Sequence, residues 1–489
     1  MRLIAAALLG LGLCACAPAP QTGDKATLEM EPCRLHGASG LTSIAAECGY
    51  LEVPENPADP AGVTISLFVA RIPALNPRFP GTAFTTIAGG PGQASTQFYA
   101  DYAAAFDRIT RHHDVVVLDQ RGTGKSNLLD CPYDVDEMLE FSVETAVARA
   151  DECRANLPGD PRFYTTSVAV DDLDQVRAAL GYDTLDVYGV SYGTRMAQHY
   201  LKQYPQRMRT MIIDGVVPAG ELLGPAIALD AQVALEALFA RCSSDEQCST
   251  SFPAIAESFS RLAQRLRADP VTMNVAHPAT GELTEVTLDY TTFAGTIRLL
   301  LYTPTTVALL PLLLHQADAQ DNWAPLIAQG QIAGLAVADQ LAEGMHNAIM
   351  CSEDAPFYGI SEAQRAALAQ TFLGAQQLEA IEAVCRNWPA GLIDDGFHQP
   401  ASAAVPVLLL SGSADPITPP KYAERAAAHL PDSLHLIAQG HGHGVVTQRC
   451  VPGLIAQFVE EASLADLETD CVAQQLPAPF FTSFSGPAP

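Results

Sequence analysis

Val187-Tyr188-Gly189-Val190-Ser191-Tyr192-Gly193-Thr194 is the stretch from which the fold can be read. Residues 185–188 before the turn have strand composition, and residues 194–202 after it place Met196, Ala197 and Tyr200 on one helical face. Strand, sharp turn and helix, with Gly-x-Ser-x-Gly at the turn, hold a serine exposed on a strained backbone. Such a turn leaves no room for side chains two residues to either side, which is the physical job of Gly189 and Gly193. Ser191 is therefore the candidate nucleophile.

On both sides of this turn strands and helices alternate. Residues 49–54 and 63–71 have a period of two and predict an antiparallel opening to the sheet. Residues 82–87 predict the next strand, which runs into Gly89-Gly90-Pro91-Gly92; a helix is expected over 102–109. The wholly apolar Val115-Val116-Val117-Leu118 predicts a strand covered on both faces. A helix over 170–180, opened by Asp171 and Asp172, leads into the strand before Ser191, and 208–213 is expected as a sixth strand. The pattern is that of an α/β, doubly wound, mostly parallel sheet.

Residues 219–399 lose this rhythm, being rich in Ala and Leu and helical in pattern, with one expected strand pair at 271–275 and 283–288. The apolar run 299–314 contains Pro304 and Pro311, which predict a broken, buried helix pair instead of a membrane span. Strand patterns return at 405–410 and 434–437, with a closing helix over 452–461. The expected organisation is a core over 33–218, a helical cap over 219–399 inserted after the sixth strand, and the rest of the core over 400–489.

The chain has 489 residues, 48% of them hydrophobic and 17% charged, enough for a large core. A formal charge of −28 argues against a nucleic-acid partner. Residues 1–16 read as a secretory signal, too short to span a bilayer. Leu13-Cys14-Ala15-Cys16 resembles a lipobox, making Cys16 the expected lipid attachment point and 17–32 a tether. The expected location is exported, periplasmic or in the cell envelope. Ten cysteines follow Cys16, and neighbours pair naturally as Cys33–Cys48, Cys131–Cys153, Cys242–Cys248, Cys351–Cys385 and Cys450–Cys471. Metal-ligand spacings are absent from the sequence, so neither a metal nor another cofactor is expected.

A serine hydroxyl needs a base, and the base needs an orienting acid; on this scaffold both follow the nucleophile, acid first. Asp415, just past the apolar 405–410, fits the acid. In Gly440-His441-Gly442-His443-Gly444 two histidines compete for the base, and His443 is preferred to His441. The oxyanion needs two backbone N–H donors. Tyr192, directly after the nucleophile, is one; Gly90 is the first choice for the other and Gly89 the second. Gly124-Lys125-Ser126 ends like a phosphate-binding loop, but Asp119 stands where that motif needs glycine.

With these pieces placed, the chain resembles α/β-hydrolase serine peptidases of the proline iminopeptidase and tripeptidyl aminopeptidase family. The resemblance is carried by Gly89-Gly90-Pro91-Gly92, Asp119-Gln120-Arg121-Gly122-Thr123-Gly124, Gly189 to Thr194, Asp415-Pro416-Ile417-Thr418-Pro419, Gly442-His443-Gly444 and the tail with Cys450 and Cys471. It implies an exported serine exopeptidase that takes residues or short peptides from free N-termini and meets the membrane only through its lipid. It also implies acidic cap residues holding the substrate amine, for which Glu353 and Asp354 are the nearest candidates; the alternative is a solvated acidic pair. Ala88 stands where iminopeptidases carry histidine, so strict N-terminal proline specificity is not expected. An esterase or lipase would use the same three side chains, and a non-catalytic binding protein of this fold would lack one of them.

Overall fold

The computed structural model describes residues 28–131, 142–278, 280–338 and 340–487. The expected signal over 1–16, Cys16 and most of the tether lie outside the described residues. The chain opens with three antiparallel strands, β1 (Glu31–His36), β2 (Ser43–Pro54) and β3 (Thr64–Ile72). Four strands with parallel pairing follow: β4 (Thr82–Ile87), β5 (Asp114–Leu118), β6 (Thr184–Val190) and β7 (Met208–Asp214). After the cap, with its separate hairpin β8 (Val271–Ala276) and β9 (Leu283–Leu288), come β10 (Val407–Gly412) and β11 (Ser433–Ala438). One nine-stranded sheet results, ordered β1-β2-β3-β5-β4-β6-β7-β10-β11 and parallel from β5 onward.

Burial alternates along the central strands and explains their composition. Val407 and Leu409 join the apolar cluster on one face, with Val187 and Ile213; Leu408 and Leu410 join that on the other, with Val117 and Tyr188. A strand covered on both faces reads as a continuous apolar run. The cap has a core of its own around Leu235, Phe293, Leu310, Leu313 and Trp323. All five cysteine pairs named above form disulfides. Among the described residues no helix is long and apolar enough to cross a membrane.

Four local expectations need correction. The tether over 17–32 runs two residues too far, because β1 begins at Glu31; only Leu35 of that edge strand is buried, which left little apolar signal. The strand at 208–213 is accordingly the seventh. The helix expected over 102–109 is Ser95–Phe106, and its first turn is held by Asp119, whose carboxylate accepts Thr96 N–H at 2.9 Å. The helix expected over 170–180 starts at Thr166, so Asp172 does not open it; that residue is buried in a two-pronged pair with Arg121 at 2.6 and 2.8 Å. Finally, Pro311 does not break its helix: Pro304–Gln320 runs through it, with Pro304 at the first position. Pro311 has no N–H to give the Val307 carbonyl, and the tail meets the helix one residue further on, where Phe481 N–H donates to the Ala308 carbonyl at 3.1 Å.

Candidate active site

The C-terminal ends of β4, β6, β7, β10 and β11 share one rim, and the candidate residues lie there. Ser191 follows β6 with φ 56° and ψ −124°, a strained conformation for a residue with a side chain. A Cβ on Gly189 would lie 2.4 Å from the Gly193 carbonyl, and one on Gly193 would lie 2.3 Å from that of Ile87. Both glycines are thus required by contact. The helix Tyr192–Gln203 is buried at every residue from Tyr192 to Leu201, not on one face only, while Ser191 at its start stays partly exposed.

Asp415 and His443 meet. His443 Nδ1 lies 2.8 Å from Asp415 Oδ2, and Asp415 Oδ1 accepts the N–H groups of Ile417 and Thr418, each at 2.9 Å. The Thr418 hydroxyl donates to Asp415 Oδ2 at 2.7 Å and lies 3.0 Å from His443 Nδ1. Burial pushes Asp415 upward, but His443 and these donors outweigh it and hold the carboxyl below its ordinary value. Burial likewise disfavours the imidazolium of His443, but Asp415 prevails and raises that pKa above 6.5. Nδ1 is therefore the protonated nitrogen, and Nε2 is left to accept a proton.

The histidine loop is tied to the nucleophile through Asp214, at the end of β7. Its carbonyl accepts Ser191 N–H at 3.0 Å, while its buried carboxylate accepts Val445 N–H at 2.8 Å and Val446 N–H at 3.0 Å. Desolvation raises Asp214 to about 6. His441 is not paired in this way: it is buried and its Nδ1 has no hydrogen-bond partner, while its carbonyl accepts Ala414 N–H at 2.9 Å.

Gly89 is the loop residue pressed on the nucleophile, since a Cβ there would lie 3.0 Å from that of Ser191. Its own N–H is directed to Gln93 Oε1 at 3.4 Å. The N–H groups of Gly90 and Tyr192 have no protein acceptor among the described residues, leaving both available to an oxyanion. Gly90 has φ +107°, a region open to glycine. The cap grips this loop. Ala342 N–H donates to the Gly92 carbonyl at 3.1 Å, Gln93 bonds Gln340 at 2.7 Å, and His346 Nδ1 lies 3.3 Å from the Pro91 carbonyl.

Glu353 and Asp354 are neither solvated nor open to a substrate amine. Both are fully buried on the turn Met350–Asp354, against Arg195 of the nucleophile helix. Arg195 grips Asp354 with two bonds of 2.8 Å, and Leu223 N–H adds a third at 2.7 Å. Glu353 accepts Thr166 N–H at 2.6 Å and the Thr166 hydroxyl at 2.9 Å, with Arg195 at 3.4 Å. Desolvation first, and Asp354 in part, push Glu353 up to about 7. Sequence reasoning missed Arg195, Asp214 and Thr418. An arginine one turn into the helix that follows the nucleophile and a threonine three residues beyond Asp415 were the available signals. Among the described residues no group of three or more His, Cys, Asp or Glu is placed to hold a metal ion.

Residues 85–273 match the family described as alpha/beta hydrolase fold, and residues 370–471 match that described as TAP-like protein. The chain has the α/β-hydrolase fold. This α/β-hydrolase is 28% identical over 475 residues to the serine protease Hip1 of Mycobacterium tuberculosis, covering 88% of each chain. It is 31% identical over 210 residues to the tripeptidyl aminopeptidase of Streptomyces lividans, covering 39% of each. Among solved structures, the proline iminopeptidase of Mycobacterium smegmatis aligns with 85% of the chain at 17% identity and a TM-score of 0.39. By enzymatic class the α/β-hydrolase is a serine hydrolase.

Proposed function

We propose that this α/β-hydrolase is an exported serine peptidase that releases residues or short peptides from free N-termini through an acyl-enzyme on Ser191. The supporting observation is the pairing of Asp415 with His443 on the rim that carries the strained Ser191. The names of the two relatives, a serine protease and a tripeptidyl aminopeptidase, support the peptide substrate. In this reading His443 Nε2 takes the Ser191 Oγ proton as Oγ attacks the scissile carbonyl, and the N–H groups of Tyr192 and Gly90 receive the oxyanion. Collapse expels the amine, which leaves with the proton from His443; water then repeats the sequence to free the acid. Asp415 keeps the imidazole in the productive tautomer and stabilises its cation. Export is supported by the charged start and apolar run over 1–16, and a lipid anchor by Cys16.

Glu353 and Asp354 are left out of amine recognition, because their oxygens are occupied inside the fold. The test is a panel of short peptide anilides, each with its N-terminus free and acetylated, given to the enzyme and to Ser191→Ala. Cleavage of the free forms alone, lost in the variant, is the expected result. Equal cleavage of acetylated forms overturns the exopeptidase mode, and hydrolysis of acyl esters without any peptide cleavage overturns the peptidase reading.

A further inference from the structure

The cap holds a cation without a counter-charge. Arg298 lies on the helix Tyr290–Leu300, and among the described residues no carboxylate pairs with it, although the chain carries a formal charge of −28. Its Nη2 donates to the Tyr302 hydroxyl at 3.2 Å, and its Nε is buried with no partner. The fully buried Arg121 and Arg195 are answered, by Asp172 and Asp354. Arg241 also has buried unpaired nitrogens, but it lies 3.9 Å over the Phe480 ring, which itself favours a cation; Arg298 sits farther from its own aromatic neighbour, 5.9 Å from the centroid of the Tyr302 ring.

Tyr302 links this guanidinium to the base. Its ring meets the His443 imidazole edge-on with centroids 5.5 Å apart, and its carbonyl accepts His443 N–H at 2.9 Å. The positive charge of Arg298 opposes protonation of both His443 and His346, and His346 touches the Pro91 carbonyl of the oxyanion loop. A half-buried guanidinium joined to the base through Tyr302, and short of acceptors, is costly until a ligand supplies an anion.

We propose that Arg298 binds a carboxylate of the substrate, so that the enzyme favours short peptides whose C-terminal carboxylate falls close to the scissile bond. This deepens the peptidase reading and rests on it. The inner stretch of a long polypeptide offers neutral amides at that distance; only a chain end or an acidic side chain offers the planar anion that a guanidinium fork matches.

The test uses the full enzyme and three unblocked peptides: tetra-alanine as free acid, tetra-alanine amide, and the same amide with aspartate at its last position. The wild type is expected to cleave the free acid with kcat/KM at least about tenfold above the amide, the range of a charged hydrogen bond. Arg298→Met should bring that ratio to near one, and Arg298→Lys should keep part of it. A ratio near one in the wild type, or one untouched by Arg298→Met, overturns the inference; a preference for the aspartyl amide alone overturns its C-terminal form. If no peptide is cleaved, the peptidase reading itself fails, and inhibition of p-nitrophenyl acetate hydrolysis judges Arg298. Free-acid tetra-alanine should then inhibit about tenfold better than its amide, with the advantage lost in Arg298→Met; equal inhibition of the wild type by the two forms overturns the inference.

Discussion

Replacing Glu353 by Gln isolates a pH-dependent burden on the fold. Arg195 carries one positive charge and faces two buried carboxylates, and Glu353 titrates at about 7. Below that pH the cluster is neutral; above it the interior holds one excess negative charge. The folded pKa lies above the ordinary 4.5, so the folded state binds more protons between the two values, and stability from this group falls as pH rises through that window. A difference of about 2.5 pKa units corresponds to at most about 3 kcal/mol. With about 2.1 cal/mol/K of unfolding entropy per residue over 489 residues, each kcal/mol moves Tm by about 1 °C. The amide oxygen of Gln can keep the Thr166 N–H bond without the charge. Measured by scanning calorimetry from pH 4 to 8.5, Tm of Glu353→Gln relative to wild type should rise by about 3 °C across the range. Parallel Tm curves for the two proteins would refute the reasoning, because they would mean that Glu353 does not change its charge in the fold over that range.

Asp415→Asn should lower kcat by about 10⁴ while far-UV circular dichroism stays unchanged, since the amide favours the wrong tautomer of His443. Because the pKa of His443 is raised above 6.5, kcat/KM of the wild type should fall as pH drops through a value above 6.5, read from a pH profile. His443→Ala should abolish turnover, whereas His441→Ala should retain it within about threefold, as the Nδ1 of His441 bonds no partner. Replacing both Cys351 and Cys385 by Ala opens a loop of 34 residues and should cost about 3–4 kcal/mol in chemical denaturation.

Much of the sheet could be read in the sequence because its signals are local. Val115 to Leu118 and Val407 to Leu410 are buried on both faces, and such strands show it in composition. The turn at Ser191 was legible for the same reason: two glycines answer contacts within a few residues or on the adjoining strand. What escaped depends on distant partners. Thr96 is capped by Asp119 from another loop, Asp172 is consumed by Arg121, and Glu353 and Asp354 look like a solvated pair until Arg195 is brought against them. Neighbouring residues cannot reveal whether an acidic side chain will meet water or a buried guanidinium.

The hold of Gln340, Ala342 and His346 on the loop from Gly89 to Gln93 bears on how such enzymes can be recombined. A foreign cap grafted onto this sheet would carry its own strap, and the backbone donors beside Ser191 would lose the splint that sets their direction. Chimeras that exchange residues 340–346 and 89–93 as one cassette should keep turnover where exchanges of either segment alone lose it.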